Sequence, residues 1–121
     1  MRSPGITDEV RPDFPQPIVH VVRALSDSER RGILIRLKRE PELSWKRLLE
    51  QGDMKKGTLN HHLNVLEESG LIRNFSKDGL FEPYHSFYEL TPLAERTIEA
   101  LFGAFSPQRP EARPLSAAIS T

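Results

Sequence analysis

The stretch that decides the fold covers residues 55–70 and reads KKGTLNHHLNVLEESG. Its large apolar side chains recur at the spacing of one side of a helix, and they are Leu59, Leu63 and Leu66. The opposite side carries small polar residues, namely Gly57, Asn60, His61 and Asn64. The sequence therefore predicts an amphipathic helix over about 55–69 that ends at Gly70, a residue type favoured just beyond a helix C-terminus.

The small polar side of this helix suits the edges of DNA bases. Short side chains let a helix lie close to the floor of the major groove, where asparagine can pair with adenine and Thr58 can contact a thymine methyl group. Lys55 and Lys56 stand at the N-terminal end, where phosphate would meet both their charge and the helix dipole. An ordinary solvated helix surface has the same pattern, and wheel geometry alone favours that simpler interpretation.

The two neighbouring histidines do not predict a metal site. Adjacent residues of a helix point about 100° apart, so His61 and His62 cannot chelate one ion together. His62 lies next to the apolar side, and we expect it at the edge of the core rather than on DNA.

Two shorter helices are predicted upstream. Residues 18–25 are rich in β-branched side chains that would suit a strand, but their place between Pro17 and a helix cap favours a short helix. Ser26 begins the S-x-x-E pattern of a capping box, completed by Glu29. The helix that follows turns Ile33, Leu34 and Leu37 to one face and ends before Pro41.

A third helix is predicted over about 45–50. Ser44 suits its N-cap, Leu43 and Leu48 suit a hydrophobic staple, and Gly52 follows its end. Trp45 lies in its first turn, where we expect it to pack rather than to bind a ligand.

A hairpin and a last helix are predicted downstream. Residues 71–75 and 84–90 suit two strands around the turn chemistry of 76–79. Thr91 and Pro92 then suit the cap and first residue of a helix reaching about Phe102 or Phe105. The chain is thus predicted to be mainly α, with four helices, a small β-hairpin wing and a C-terminal helix, which is the winged helix-turn-helix arrangement.

The composition suits one small domain. The chain has 121 residues, and nearly all apolar residues lie in 18–105, the predicted folded domain. Residues 1–17 and 106–121 are rich in proline and are predicted to be flexible arms. No apolar run approaches the ~20 residues of a membrane helix, and the absence of cysteine excludes disulfides and thiolate metal sites. We expect a cytoplasmic protein without membrane contact.

Charge is unevenly distributed along a chain whose formal net charge is zero. Residues 30–56 contain nine basic side chains against four acidic ones, whereas 67–102 contain seven acidic against three basic. A nucleic-acid-binding domain is often basic overall, so the neutral total argues mildly against DNA. The basic segment nevertheless predicts a surface that faces phosphate.

Several motifs resemble those of the ArsR and MarR-like winged-helix regulators. The resemblance rests on GTLNHHL at 57–63, LE at 66–67, GLI at 70–72 and YELTP at 88–92, and it spans about 18–102. It implies a transcriptional regulator that binds double-stranded DNA, with the helix at about 55–69 in the major groove and the wing at about 73–85 on the backbone. The residues expected on DNA are Lys46, Arg47, Lys55, Lys56, Gly57, Thr58, Asn60, His61, Asn64, Arg73 and Lys77.

The resemblance also implies a homodimer built from the first and last helices. The residues expected in its interface are Ile18, Val19, Val22, Leu93, Thr97, Leu101, Phe102 and Phe105. One small domain can hardly bury all these apolar side chains, although the last helix can also pack only on its own core. Metal-sensing relatives carry cysteines in the third helix or histidines in the last, and this chain has neither, so we expect no metal and no cofactor; an effector stays unknown.

A different class of function is a winged helix that docks a protein partner and binds no DNA. The neutral total charge and an apolar wing with Leu80, Phe81 and Tyr84 support it, although these side chains are expected to fold back on the body of the domain. Catalysis is not expected, because the chain contains no phosphate-binding loop, H-E-x-x-H motif or nucleophile elbow.

Overall fold

A computed structural model of the protein describes residues 11–77 and 85–107. Within these ranges the helices are α1 (Gln16–Leu25), α2 (Ser28–Arg39), α3 (Trp45–Gln51), α4 (Lys56–Glu68) and α5 (Pro92–Ala104). The strands are β1 (Leu43–Ser44), β2 (Ile72–Lys77) and β3 (His85–Leu90). The predicted order of helices, hairpin and final helix is confirmed, and the fold is a winged helix-turn-helix.

Two of the three predicted helix caps are confirmed. The Ser44 hydroxyl accepts a hydrogen bond of 3.0 Å from the backbone N–H of Arg47 and begins α3. The Thr91 hydroxyl accepts from the N–H of Ala94 at 3.2 Å and donates to the carbonyl of Gly70 at 2.6 Å. This second bond joins the start of α5 to the end of α4.

The predicted capping box at α2 is wrong. Asp27, not Ser26, is the N-cap, because its carboxylate accepts from the N–H groups of Glu29 and Arg30 at 2.8 and 3.2 Å. The Ser26 hydroxyl instead donates to the Arg23 carbonyl at the end of α1. Two turns meet at this point, and a carboxylate is the stronger acceptor for the N–H groups of a helix start.

The start of α1 and the number of strands also differ from the predictions. Helix α1 begins at Gln16, two residues before the expected start, with Pro15 as its N-cap and Pro17 in its first turn. Strand β1 was not predicted, since two residues are too few for an alternating pattern. It pairs antiparallel with β3 through Leu43–Tyr88 and Ser44–Phe87, which gives a three-stranded sheet in the order β1-β3-β2.

The core lies where α2 and α4 pack on the sheet and α5. All the leucine and isoleucine side chains predicted to face inward are buried, namely Ile33, Leu34, Leu37, Leu43, Leu48, Leu59, Leu63 and Leu66. Ala24, Leu71, Ile72, Ala94 and Ile98 complete the apolar interior contributed by the other elements. Among the described residues, no helix has the length and apolarity needed to cross a membrane.

Gly70 forms the sharp turn between α4 and the wing. Its φ of 83° lies in the left-handed region, as predicted for the residue beyond the cap of a helix. Its N–H donates to the Glu67 carbonyl and the Leu71 N–H donates to the Leu66 carbonyl, both at 3.0 Å, which is the Schellman pattern. The turn lets the chain leave α4 directly into β2.

We expect Gly70→Ala to lower the free energy of unfolding by about 1–2 kcal/mol, because an L side chain disfavours the left-handed conformation. Space is not the cause, since a Cβ at this site would meet only Leu93 Cδ2 at an ordinary 3.6 Å. Gly32→Ala in the middle of α2 is the matched control, as a Cβ there meets nothing within 4 Å. Gly32→Ala should leave the free energy of unfolding unchanged or raise it. Urea unfolding followed by circular dichroism compares the two variants. An equal loss of stability in both would contradict a role of the left-handed conformation of Gly70.

Candidate nucleic-acid interface

Helix α4 presents the predicted polar face to solvent. Its small polar residues Gly57, Asn60, His61 and Asn64 are all exposed, and Thr58 is half-buried beside them. A Cβ at Gly57 would meet nothing within 4 Å, so another molecule can approach the backbone closely there. The face is thus open, polar and unobstructed along its length.

The N-terminal end of α4 combines the N–H groups of a helix start with positive charge. Lys55 is the N-cap residue, and its side chain makes no hydrogen bond to the first N–H groups of the helix. Lys55 and Lys56 are both exposed at this end. The N–H groups of the first turn, the positive end of the helix dipole and two ammonium groups together favour an anion such as phosphate.

A buried arginine holds the other side of α4 in place. Arg30 is 9% exposed, and its Nε donates to the Ala24 carbonyl at 2.9 Å. Its Nη1 lies 3.1 Å from Nδ1 of His62, a residue that is only 5% exposed. One side chain of α2 therefore joins the end of α1 to the middle of α4.

The chemistry of arginine assigns the hydrogen bonds of His62. A guanidinium group only donates, so Nδ1 of His62 accepts and Nε2 carries the ring proton. Nε2 lies 2.8 Å from Oε1 of Glu29 and donates to it. Both ring nitrogens of His62 thus have a partner within the protein, as a buried polar ring requires.

The same region places three ligand-type atoms together, from Asp27, Glu29 and His62, within 4.8 Å of one another. The pKa of the Asp27 carboxyl lies below its ordinary value, chiefly because the Arg30 N–H donates to it. A metal-binding histidine usually donates its second ring N–H to a carboxylate or carbonyl, whereas here that nitrogen accepts from a cation. This chemistry suits a hydrogen-bond network better than a metal site.

Trp45 was predicted as a packing residue, and it does pack half-buried against the core. It also contacts the candidate interface, because its indole Nε1 donates to Oδ1 of Asn60 at 2.8 Å. The sequence carried no signal for this contact, which joins residues fifteen positions apart on two helices.

Folding divides the basic segment into several environments. Arg30 points into the interior, and Lys38 lies against α5, where its hydrogen bond of 2.7 Å with Glu95 raises its pKa. Four of the predicted DNA-binding cations remain exposed on α3 and at the start of α4, namely Lys46, Arg47, Lys55 and Lys56. Of these, Arg47 lies 3.8 Å from Glu40. The positive surface is therefore smaller than the segment from which it was predicted.

The wing is described in its two strands only. Arg73 on β2 is exposed, forms an ion pair with Glu89 on β3 and lies 5.2 Å from the centre of the Phe75 ring. Its guanidinium thus has an acidic partner within the protein, and its predicted contact with phosphate stays a prediction. Ser76 and Lys77, which were predicted in the turn, lie in β2, because the pairing with β3 continues to the end of that strand. Residues 78–84, with the rest of the predicted turn and the apolar side chains of the wing, lie outside the described residues, and so does the side chain of Lys77.

Most of the residues predicted for a dimer interface line two apolar grooves between α1, α2 and α5. The first has a volume of about 290 Å³ and is lined by Pro17, Ile18, Val21, Val22, Leu25, Leu93, Thr97 and Leu101. The second, of about 470 Å³, is lined by Leu25, Arg31, Leu34, Ile35, Ile98, Leu101 and Phe102. Phe105 is 85% exposed beyond them, whereas Val19 is half-buried. The two ends of the domain thus form one apolar surface.

Comparisons with known proteins agree with this geometry. Residues 25–74 match the family model of a helix-turn-helix domain. An ArsR family transcriptional regulator of known structure is 26% identical, with a TM-score of 0.58 over 78% of this chain and 91% of its own. The comparison with curated proteins finds no match.

Two further structures share the fold at lower identity. HlyU from Vibrio cholerae is 24% identical, with a TM-score of 0.60 over 74% of this chain and 92% of its own. A structure described as a transcriptional regulator of the MarR family from Enterococcus faecalis is 20% identical, with a TM-score of 0.63 over 77% of this chain and 83% of its own. The arrangement of α2, α3, α4 and the wing is thus the one that such regulators use.

We expect Arg30→Met to lower the free energy of unfolding by about 1–3 kcal/mol, because the Ala24 carbonyl and Nδ1 of His62 would lose their buried donor. Arg39→Met is the matched control, since Arg39 is exposed at the end of α2 and lies outside the linings of both apolar grooves. It should cost less than about 0.5 kcal/mol. Urea unfolding at neutral pH measures both, and similar losses would show that the buried network does not stabilise the domain.

Proposed function

We propose that this chain, a winged helix-turn-helix transcriptional regulator, binds double-stranded DNA as a homodimer and reads base edges with the exposed face of α4. The observation that carries the proposal is that face itself, with Gly57, Asn60, His61 and Asn64 open to solvent while His62 and the leucines are buried. A helix with short polar side chains fits the major groove, where each base pair presents its own donors and acceptors.

Affinity comes from the cations around this face. Lys55 and Lys56 contact phosphate at the N-terminal end of α4, together with the N–H groups of its first turn. Lys46 and Arg47 contact the backbone from α3, the helix that precedes the recognition helix. From the wing, Arg73 exchanges its ion pair with Glu89 for a flanking phosphate, and Lys77 is the second wing residue proposed to contact the backbone. The protein acts where the DNA is, in the cytoplasm, and is not an enzyme.

A second copy of the chain covers the apolar grooves of α1 and α5. These grooves expose leucine, isoleucine, valine and phenylalanine side chains over one continuous surface, which water solvates poorly. A two-fold axis through this surface gives the dimer two copies of α4, which suits an operator with two half-sites about one helical turn apart.

We expect binding to a labelled random-sequence duplex to weaken steeply with salt, by roughly 10³-fold between about 50 and 200 mM NaCl if the dimer neutralises about six phosphates. Fluorescence anisotropy of the labelled duplex measures the affinity at each salt concentration. Lys56→Ala should lower both the affinity and the slope of the salt dependence, since one phosphate contact per chain is lost. Lys38→Ala is the control, because Lys38 lies against Glu95 and should leave binding unchanged. Absence of binding at low salt would overturn the proposal and favour a protein partner instead.

We expect Leu101→Glu to convert the dimer to a monomer, because a carboxylate would be buried in the apolar interface. Leu101 lines both grooves, so one substitution reaches the whole surface. Arg96→Glu introduces the same acid at an exposed position of α5 outside these linings and should keep the dimer. Light scattering after size exclusion gives the mass, and a dimeric Leu101→Glu protein would contradict the proposed interface.

A further inference from the structure

The indole of Trp45 fixes which end of the Asn60 side chain faces outward. The indole N–H is a donor and has no acceptor, so the atom 2.8 Å away must be the carbonyl oxygen of the carboxamide. The oxygen therefore points toward α3, and the NH₂ group of Asn60 points away from it. This orientation follows from the chemistry of the donor and not from a choice between similar atoms.

The contact is built into the packing of the domain. Trp45 is the first residue of α3, next to the Ser44 cap, and its ring packs against the core. Asn60 lies on α4, whose rotation is fixed by the buried bonds of His62 two residues later. The ring of Trp45 and the backbone of Asn60 are thus placed by structure outside the contact, and the indole hydrogen bond orients the carboxamide in the absence of DNA.

This orientation changes what Asn60 can recognise. An unrestrained asparagine pairs with adenine by accepting from N6–H₂ and donating to N7. Here Trp45 occupies one of the two lone pairs of the oxygen and holds it toward α3, so the group of Asn60 that is turned away from the protein, toward DNA, is the NH₂ donor. Guanine offers two acceptors at the major-groove edge, O6 and N7, whereas adenine offers one acceptor beside a donor that would oppose the NH₂ group.

We infer that Trp45 is a positioning residue that makes Asn60 a hydrogen-bond donor toward DNA, so that Asn60 selects guanine over adenine at the base pair it contacts. The inference rests on the proposed function, since it needs α4 in the major groove. The inference assigns a guanine preference to one base position. It also assigns a role in that preference to Trp45, which does not contact the base.

Selection from a random duplex library tests the inference with the full chain. The position read by Asn60 is identified as the one whose preference disappears in Asn60→Ala. Wild type should favour guanine over adenine there by about tenfold, the lower part of the range for one base-edge pair. Trp45→Phe keeps the ring and removes only the N–H, so its preference at this position should move toward adenine while the other positions stay unchanged.

Asn60→Asp gives a second, independent result. It keeps an acceptor for the indole but has no NH₂ group, so overall binding should weaken and the guanine preference should be lost in favour of cytosine, whose N4–H₂ donates to a carboxylate.

Asn64 provides the matched control. It is exposed one turn later, and among the described residues no hydrogen bond to its side chain is seen, so Trp45→Phe should leave the preference at its base unchanged.

The outcomes separate the inference from the function on which it rests. If wild type binds no duplex, the proposed function fails. If wild type selects a defined site, but adenine is preferred at the Asn60 position or Trp45→Phe leaves a guanine preference intact, the inference fails and the function stands. Thermal melting of each variant, followed by circular dichroism, confirms that the compared proteins are folded.

Discussion

The hydrogen bond between Arg30 and His62 is the constraint on which the orientation of α4 depends. Arg30 can reach His62 only from the interior side of α4, and it is itself held by the carbonyls of Arg23 and Ala24. A helix is rigid, so when His62 is fixed facing inward, the preceding residues Asn60 and His61 face outward. Leucine packing alone would tolerate some rotation, whereas a bond of defined length and direction does not. The buried polar network therefore sets which residues of α4 face solvent and are available for the proposed contact with DNA.

The sequence was sufficient to predict the features of the fold that depend on local periodicity and on local helix caps. Leucines at 59, 63 and 66 defined the buried side of α4, Ser44 and Thr91 marked helix starts, and Gly70 marked the turn into the wing. It was insufficient where contacts join distant segments. Arg30 belongs to a run of basic residues that looks like a solvated surface, and only its contact across thirty-two positions makes it an interior residue. The pairing of Leu43 with Tyr88 is likewise invisible until the chain has folded.

The neutral total charge is compatible with DNA binding once the positions of the charges are known. Acidic residues of the C-terminal half pair with basic residues away from the tip of α4, as Glu95 and Glu99 do with Lys38 and Glu89 does with Arg73. Lys46, Lys55 and Lys56 are exposed near the start of the recognition helix, and among the described residues no ion pair to them is seen. Because screening limits exposed charges to about 10 Å at 0.1 M salt, phosphate at that end responds to this local group and hardly to the total.

The side chains on the outer face of α4 differ in how far the protein itself orients them, and this difference affects how the proposed interface would distinguish bases. Gly57 supplies only backbone, and among the described residues no hydrogen bond to the exposed Asn64 side chain is seen, so a partner must order that side chain when it binds. Asn60 is already oriented by Trp45, and the entropy of fixing its carboxamide has been lost during folding rather than during recognition. A preoriented donor gains from the correct base and clashes with the wrong one, whereas a free amide can rotate to suit either. In the proposed complex, discrimination between bases is therefore strongest at Asn60, the residue whose side chain the protein itself orients.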